Sequence, residues 1–178
     1  MKKLSFILFL MAGLSLGQTV EEEISDQSLN EITLNLPVSI FAEFPMVSYE
    51  RLINADMGIG ASVGFGTGSE FIEDATFMLS PFARWYFTGI SPREAFGRKF
   101  FVEANGAMIG FKDNEEVEYY INEKTGGISF GLGLGIGYKY VNRSNWVATL
   151  VLGGGRIFSS KNSVEAYPAM GINIGKRF

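Results

Sequence analysis

The stretch that decides the fold runs from residue 128 to residue 140. It reads Ile128-Ser129-Phe130-Gly131-Leu132-Gly133-Leu134-Gly135-Ile136-Gly137-Tyr138-Lys139-Tyr140. A bulky apolar residue alternates throughout with glycine or a polar residue. This period of two predicts a β-strand, because successive side chains of a strand point to opposite faces of the sheet. One face is therefore continuously apolar, and the other carries mainly glycine.

The glycine-rich face distinguishes a membrane barrel from a soluble sheet. In a half-buried soluble sheet the face opposite the core usually carries Thr, Lys or Glu, and glycine there weakens the strand. A small membrane barrel turns its apolar face to lipid, and its narrow interior leaves little room for large side chains. The stretch therefore favours a small transmembrane β-barrel over a soluble sandwich.

The chain begins with the parts of a secretory signal peptide. Residues 1–3 form a basic start, residues 4–16 are apolar, and small residues precede a cleavage site that we expect after Gly17. The apolar run is too short for a spanning helix. The predicted domains are a signal peptide at residues 1–17, a flexible periplasmic lead-in at residues 18–30 and an outer-membrane β-barrel at residues 31–178.

Composition excludes several classes of function. The chain has no cysteine and no histidine, so it lacks the side chains for a disulfide framework, a Cys/His metal site, a thiol nucleophile or a Ser-His-Asp triad. It has 15 basic and 19 acidic residues, a net charge of −4, and no basic patch for nucleic acid. We expect no enzyme activity, no metal, no cofactor and no nucleic-acid partner.

Alternation of the same kind predicts eight strands. Their predicted spans are residues 31–41, 44–53, 57–66, 75–88, 99–111, 128–140, 146–158 and 167–178. Pro37 predicts a local bulge or a weakness of register in the first strand, and the glycines at 153–155 predict a bulge in the seventh, whose faces stay unassigned. Turns follow the second, fourth and sixth strands, with arginine in those after the fourth and the sixth, and polar loops follow the third, fifth and seventh. This pattern predicts an eight-stranded antiparallel up-and-down barrel with its termini in the periplasm.

Aromatic residues collect near the predicted periplasmic end of the barrel. The predicted interface aromatics are Tyr49, Trp85, Phe87, Tyr138, Tyr140 and Trp146. Such rings suit the membrane interface, because an indole or phenol combines an apolar ring with a polar tip.

Charged residues on the predicted inner faces must pair or stay hydrated. The candidates for such a network are Glu50, Arg84, Glu103, Lys139 and Arg156. Arg84 and Glu103 lie on neighbouring predicted strands, where they are placed to form a charge-assisted pair. We interpret the set as a structural plug of salt bridges, with a gated pore or a proton path as the alternative. The glycines of residues 128–140 are expected to leave room for such side chains.

The last strand resembles the assembly signal that the barrel insertion machinery reads in bacterial outer-membrane proteins. It ends on Phe178 after the alternating Ile172 and Ile174. Lys176 stands where that signal usually has an aromatic or apolar residue, although a lysine can snorkel to the interface.

Four short motifs together resemble an uncharacterised family of bacterial outer-membrane β-barrels, of the domain-of-unknown-function type. They are VSYERL at 47–52, SPFAR at 80–84, GIGYK at 135–139 and GKRF at 175–178. The architecture is similar to that of outer-membrane protein X and of the barrel of outer-membrane protein A. The resemblance implies an outer-membrane location and a barrel shape, and it implies no reaction.

The sequence thus predicts an outer-membrane protein with a closed, side-chain-filled lumen and a structural or surface-interaction role through its extracellular loops. Its expected partners are outer-membrane lipid and, during assembly, the barrel insertion machinery, and we expect a monomer. A narrow channel for small solutes or ions is the main alternative. A lipid-active enzyme and a soluble lipid-binding barrel are less favoured.

Overall fold

The computed structural model describes residues 29–66, 75–87, 97–111, 127–158 and 166–178. The predicted signal peptide, most of the lead-in and nearly all of the predicted polar loops lie outside these ranges. Within them the strands are β1 Asn30–Asn35, β2 Met46–Leu52, β3 Met57–Phe65, β4 Ala75–Tyr86, β5 Lys99–Phe111, β6 Gly127–Val141, β7 Trp146–Ile157, β8 Ala166–Pro168 and β9 Gly171–Arg177. A helix, α1, occupies Leu36–Phe41.

The strands form one closed antiparallel barrel. Each strand from β1 to β7 pairs with the next along the chain. β9 closes the ring because it pairs with β7 on one side and with β1 on the other. β8 pairs with β7 just beyond β9, so β8 and β9 together make the eighth strand. The predicted eight-stranded antiparallel barrel is confirmed.

The two ends of the barrel differ in their connections. At one end β1 begins, β9 ends, and short turns at residues 53–56 and 142–145 join neighbouring strands. We call this the terminal end. At the other, which we call the loop end, α1 follows β1, and the chain leaves β3, β5 and β7 toward residues outside the described ranges.

Side chains alternate strictly between the inside and the outside of the barrel. On β6 the outward Leu134 is 72% exposed, while the inward Lys139 is 1% exposed. The large exposed side chains on the strands are mostly apolar, and the buried ones include six charged residues. The barrel therefore carries its apolar face outside and its polar face inside, as the sequence predicts for residues 128–140.

The first strand is shorter than predicted, because the chain turns into α1 after Asn35. The carboxamide oxygen of Asn35 accepts a hydrogen bond from the backbone N–H of Val38 at 3.4 Å, which caps the helix. Pro37 lies in the first helical turn, where its missing N–H is not needed and its fixed φ suits the helix. The predicted bulge at Pro37 is thus wrong, and the proline helps to start a helix instead. Among the described residues, no helix combines the length and apolarity that a membrane span requires.

The predicted bulge in the seventh strand is also wrong. The pairing of β6 with β7 runs without a register shift from Gly131↔Ile157 to Val141↔Val147. The three glycines at 153–155 therefore keep the alternation. Irregularities lie elsewhere: the β4–β5 register shifts between Ala75 and Phe77, and the eighth strand is interrupted at residues 169 and 170 between β8 and β9.

Two glycines on the inner face of β6 provide a matched test of packing. A Cβ atom on Gly137 would overlap with the buried Phe101 ring and with the carbonyl oxygen of Leu150. On Gly135 it would meet its nearest neighbour, the carbonyl oxygen of Leu152, at an ordinary 3.5 Å. We expect Gly137→Ala to lower the free energy of unfolding by about 1–3 kcal/mol through overpacking. Gly135→Ala should be neutral, or stabilising by about 0.4–1 kcal/mol through the unfolded chain.

Urea-induced unfolding of both variants under the same conditions measures this difference. Equal losses for the two variants would contradict the proposed role of Phe101, because both substitutions make the same chemical change on the same face.

Candidate functional site

The lumen contains a continuous chain of buried charged and polar side chains near the terminal end. Its centre is Arg84 on β4, whose Nη1 donates to Glu50 Oε2 at 2.5 Å and whose Nε donates to Glu103 Oε2 at 2.8 Å. The pair Arg84 and Glu103 is directly opposite in the β4–β5 register. The guanidinium of Arg84 lies 4.2 Å from the ring centroid of Phe82 and 4.8 Å from that of Phe101, in cation–π geometry.

Lys139 extends this chain across the full width of the barrel. It rises from β6, while Glu50 is on β2, the strand on the opposite side of the ring. The Lys139 Nζ donates to Glu50 Oε2 at 2.8 Å and to Glu31 Oε2 at 2.6 Å. The Tyr86 hydroxyl also donates to Glu50, and the Tyr86 ring lies 4.8 Å from the Lys139 Nζ. Glu31 and Glu50 are directly opposite each other in the β1–β2 register, so Lys139 reaches from the far side of the ring to neutralise two carboxylates that neighbouring strands place side by side.

The two outer carboxylates of this series of side chains, Glu31 and Glu103, are bound by further residues. At one end Arg177 donates to Glu31 Oε1 through Nε at 2.7 Å and through Nη2 at 2.5 Å. Its Nη2 also donates to the carbonyl oxygen of Gly97 at 3.1 Å. At the other end Asn105 donates to Glu103 Oε1 at 2.9 Å and accepts from the Tyr167 hydroxyl at 2.7 Å.

We call Glu31, Glu50, Arg84, Glu103, Lys139 and Arg177 the lumen network. Its three carboxylates and three cations give a net charge of zero, and each member is at most 7% exposed. Buried charges are tolerated only when they are paired and hydrogen-bonded. The network meets both conditions and crosses the lumen from β9 to β5.

The structure brings four of the five predicted lumen charges together, namely Glu50, Arg84, Glu103 and Lys139. Arg156 is not among them, because its side chain is exposed. Since β7 keeps its register through the glycines, Ile157 points inward and is 6% exposed, and Arg156 points outward. The placement of Arg156 in the lumen is therefore corrected.

Two members of the lumen network, Glu31 and Arg177, are absent from the predicted set. The alternation of residue types along β1 and β9 does indicate an inward position for both side chains. Glu31 shares an inner face with Asn35, and Arg177 shares one with Asn173. Both stand at the outermost residues of their strands, where pattern alone does not decide whether a side chain still lies inside the barrel.

A cavity of about 390 Å³ occupies the lumen toward the loop end. Arg84, Glu103 and Asn105 line it on the side of the lumen network. Its walls are mainly apolar, and the apolar lining includes Val38, Phe44, Met46, Met78, Ile109, Phe111, Ile157, Tyr167 and Met170. The sequence predicted a lumen filled by side chains, and the cavity shows that this prediction is wrong for the part toward the loop end. The reason is the small size of several inward residues on β2, β3 and β4, such as Ser48, Ser62 and Ser80.

The glycines of β6 accommodate aromatic and amide side chains more than charged ones. Gly137 lies against the Phe101 ring, Gly131 against Tyr167, and Gly133 against both Asn105 and Tyr167. Of these four glycines, Gly135 is the one beside a charged residue's side chain, since a Cβ atom added to it would lie 3.8 Å from the Cβ of Glu103. The expected space is present, but large rings occupy most of it.

The predicted interface aromatics are all exposed, with side-chain exposures from 42% for Tyr138 to 59% for Tyr140. Each lies within the last residues of its strand at the terminal end, or just beyond it. Phe100, which was not predicted, packs edge-on against Tyr138 with ring centroids 5.0 Å apart. The residues of the assembly motif, Ile172, Ile174 and Phe178, are also exposed.

No group of His, Cys, Asp and Glu side chains suited to hold a metal ion occurs in the part of the chain that the structure describes. Comparisons of the chain with models of protein families, with curated proteins and with solved structures give no significant match. The function must therefore be argued from the barrel, the lumen network and the cavity.

Proposed function

We propose that this chain is a monomeric bacterial outer-membrane β-barrel that does not conduct ions. Its role is structural, or it interacts with surface partners through the segments that follow β3, β5 and β7 at the loop end. No catalytic group enters this proposal, because the charged residues of the lumen bind one another.

The observation that carries the proposal is the inverted distribution of polarity. Leu132, Leu134 and Ile136 are 64–72% exposed in the middle of β6, whereas Lys139 and Glu31 are each 1% exposed. An apolar side chain of this size loses about 1.5–3 kcal/mol of burial energy when it stays in water. A band of such side chains around the barrel is therefore stable only against an apolar surrounding, which the hydrocarbon region of a membrane provides.

The exposed aromatic residues support an orientation with the terminal end in the periplasm. Among the described residues, every exposed tryptophan and tyrosine side chain lies toward the terminal end: Tyr49, Trp85, Tyr138, Tyr140 and Trp146. The exposed aromatics toward the loop end are phenylalanines, such as Phe65, Phe130 and Phe158. Short periplasmic turns with aromatic girdles are typical of outer-membrane barrels.

Membrane fractionation tests the location directly. We expect the protein to sediment with the outer membrane and to require detergent for extraction. The folded barrel should migrate differently on a gel before and after boiling. Release into the soluble periplasmic fraction without detergent would overturn the proposal and favour a soluble lipid-binding barrel.

The lumen network supports a sealed barrel. In an eight-stranded barrel the interior is filled by side chains or holds one small ligand, and here a series of ion pairs spans it from β9 to β5. An ion would have to separate these pairs in order to pass.

We expect the wild-type protein and Glu103→Gln to show no stepwise conductance in planar lipid bilayers. Glu103→Gln should still be less stable to urea, because Arg84 loses one of its two carboxylate partners while Glu50 keeps it in place. A functional channel-forming control establishes that the bilayers detect conductance. Stepwise currents from the wild-type protein would favour the narrow channel, and currents from Glu103→Gln alone would indicate a gate.

A further inference from the structure

Asn173 is a buried polar side chain without a protein partner, and it faces the cavity of the lumen. It lies on the inner face of β9, is 6% exposed and lines the cavity. None of the hydrogen bonds of the described residues involves its carboxamide, whose polar atoms are not among the fully buried unpartnered ones and so keep accessible surface. A buried amide normally has such a partner, since leaving it unpaired costs free energy. The carboxamide therefore has two donors and an acceptor available to a molecule in the cavity.

The other polar side chains of the cavity wall are already bonded within the protein. Ser48 and Ser62 share a hydrogen bond of 2.7 Å, and Ser80 donates to the carbonyl oxygen of Gly106 at 2.7 Å. Asn35 donates to the carbonyl oxygen of Met170 at 3.3 Å. Asn105 donates to one neighbour and accepts from another. Among the described residues that line it, the cavity thus offers a mostly apolar surface with one free amide, Asn173.

The charge of the lumen decides which ligands are accepted. Arg84 and Glu103 line the cavity, but they belong to a network of three cations and three carboxylates that is electrically balanced. A charged ligand would add an uncompensated charge to a mainly apolar site, which is costly. An uncharged ligand carries no such cost.

The size of the cavity limits the ligand further. At about 30 Å³ for each water molecule, a cavity of 390 Å³ has room for about 13 non-hydrogen atoms. Pockets of about 300–1,000 Å³ with apolar walls and few polar groups are typical of small-molecule sites. The methionines Met46, Met78 and Met170 make this wall adaptable in shape.

We propose that the lumen cavity binds an uncharged, mainly apolar molecule of about this size, and that Asn173 hydrogen-bonds its single hydroxyl or amide group. This binding function goes beyond the proposed structural role and does not depend on a surface partner.

The methionines of the chain provide both reporters and internal controls. Met46 and Met78 line the cavity, whereas Met57 and Met108 lie on the outer face of the barrel. With ¹³C-methyl methionine in lipid nanodiscs, 1-decanol should shift the Met46 and Met78 signals in a saturable manner. Decane should bind more weakly, and decanoate should leave these two signals unshifted. The Met57 and Met108 signals report on partition of the probes into lipid.

Substitution of Asn173 tests the hydrogen bond. Asn173→Leu should weaken 1-decanol binding about tenfold, since one hydrogen bond is lost, and leave decane binding unchanged. Thr149→Val is the matched control: Thr149 pairs with Asn173 across β7 and β9 and has a buried, unpartnered hydroxyl, but it does not line the cavity. This control should bind both probes like the wild type. Heat-modifiable mobility on gels verifies that both variants fold.

Three results would overturn the proposal. They are no saturable shift at Met46 and Met78 with 1-decanol, equal shifts at all four methionines, and equal affinity for decanoate and 1-decanol. The comparison of probes on the wild-type protein remains decisive even if Asn173→Leu does not fold. An equal tenfold loss for decane in that variant would also contradict the hydrogen bond to Asn173.

Discussion

Replacement of Lys139 by methionine is expected to lower the free energy of unfolding by about 3–5 kcal/mol, the usual cost of removing one partner from a buried ion pair. Lys139 is 1% exposed and binds both Glu31 and Glu50. Without it the lumen network keeps three carboxylates but only two cations, so one negative charge is buried without compensation. Methionine preserves most of the side-chain volume, which separates the electrostatic effect from a cavity.

Urea titrations of the protein reconstituted in lipid vesicles measure the loss. The matched control is Lys176→Met, because Lys176 is exposed on the outer face of β9 and surface substitutions usually change stability by less than about 0.5 kcal/mol. A double variant, Lys139→Met with Glu50→Gln, restores the charge balance and should lose less stability than the sum of the two single variants. If Lys139→Met is no more harmful than Lys176→Met, the lumen network does not stabilise the fold.

The alternation of residue types predicts most of this architecture. Residues 128–140 are apolar on one face and rich in glycine on the other, and β6 places those faces outside and inside as the pattern indicates. The pairing of Arg84 with Glu103 is also predictable, because it joins neighbouring strands directly. The face of the sheet on which a side chain lies and its partner on the next strand are local properties, so a sequence pattern can predict them.

The remaining features depend on the closed ring. The contact of Lys139 with Glu50 joins opposite sides of the barrel, so it follows from closure and register and not from any local pattern. The cavity likewise reflects the summed volumes of side chains from many strands. Pro37 shows a different limit, since a proline permits both a strand bulge and the first turn of a helix. The N-cap hydrogen bond of Asn35 favours the helix.

A change of Leu134 to arginine is expected to make folding into a bilayer less favourable by about 2–4 kcal/mol, the cost of a cation on the lipid face near the midplane. Leu134 is the central residue of β6, Gly127–Val141, and its outward side chain is 72% exposed. If the outer face contacted water instead, the same change would alter stability by less than about 0.5 kcal/mol. The substitution therefore tests the membrane proposal at a single position.

Tyr140→Arg is the control on the same strand and the same face. Tyr140 is 59% exposed beside the turn at the terminal end, where an arginine at the membrane interface should cost only about 0–1 kcal/mol. Equilibrium folding from urea into lipid vesicles measures both variants. A large cost at Leu134 with a small one at Tyr140 indicates a gradient of depth along β6. Equal small costs would mean that this face meets water, and equal large costs would mean that it packs against protein, because neither surrounding distinguishes the middle of the strand from its end as a bilayer does.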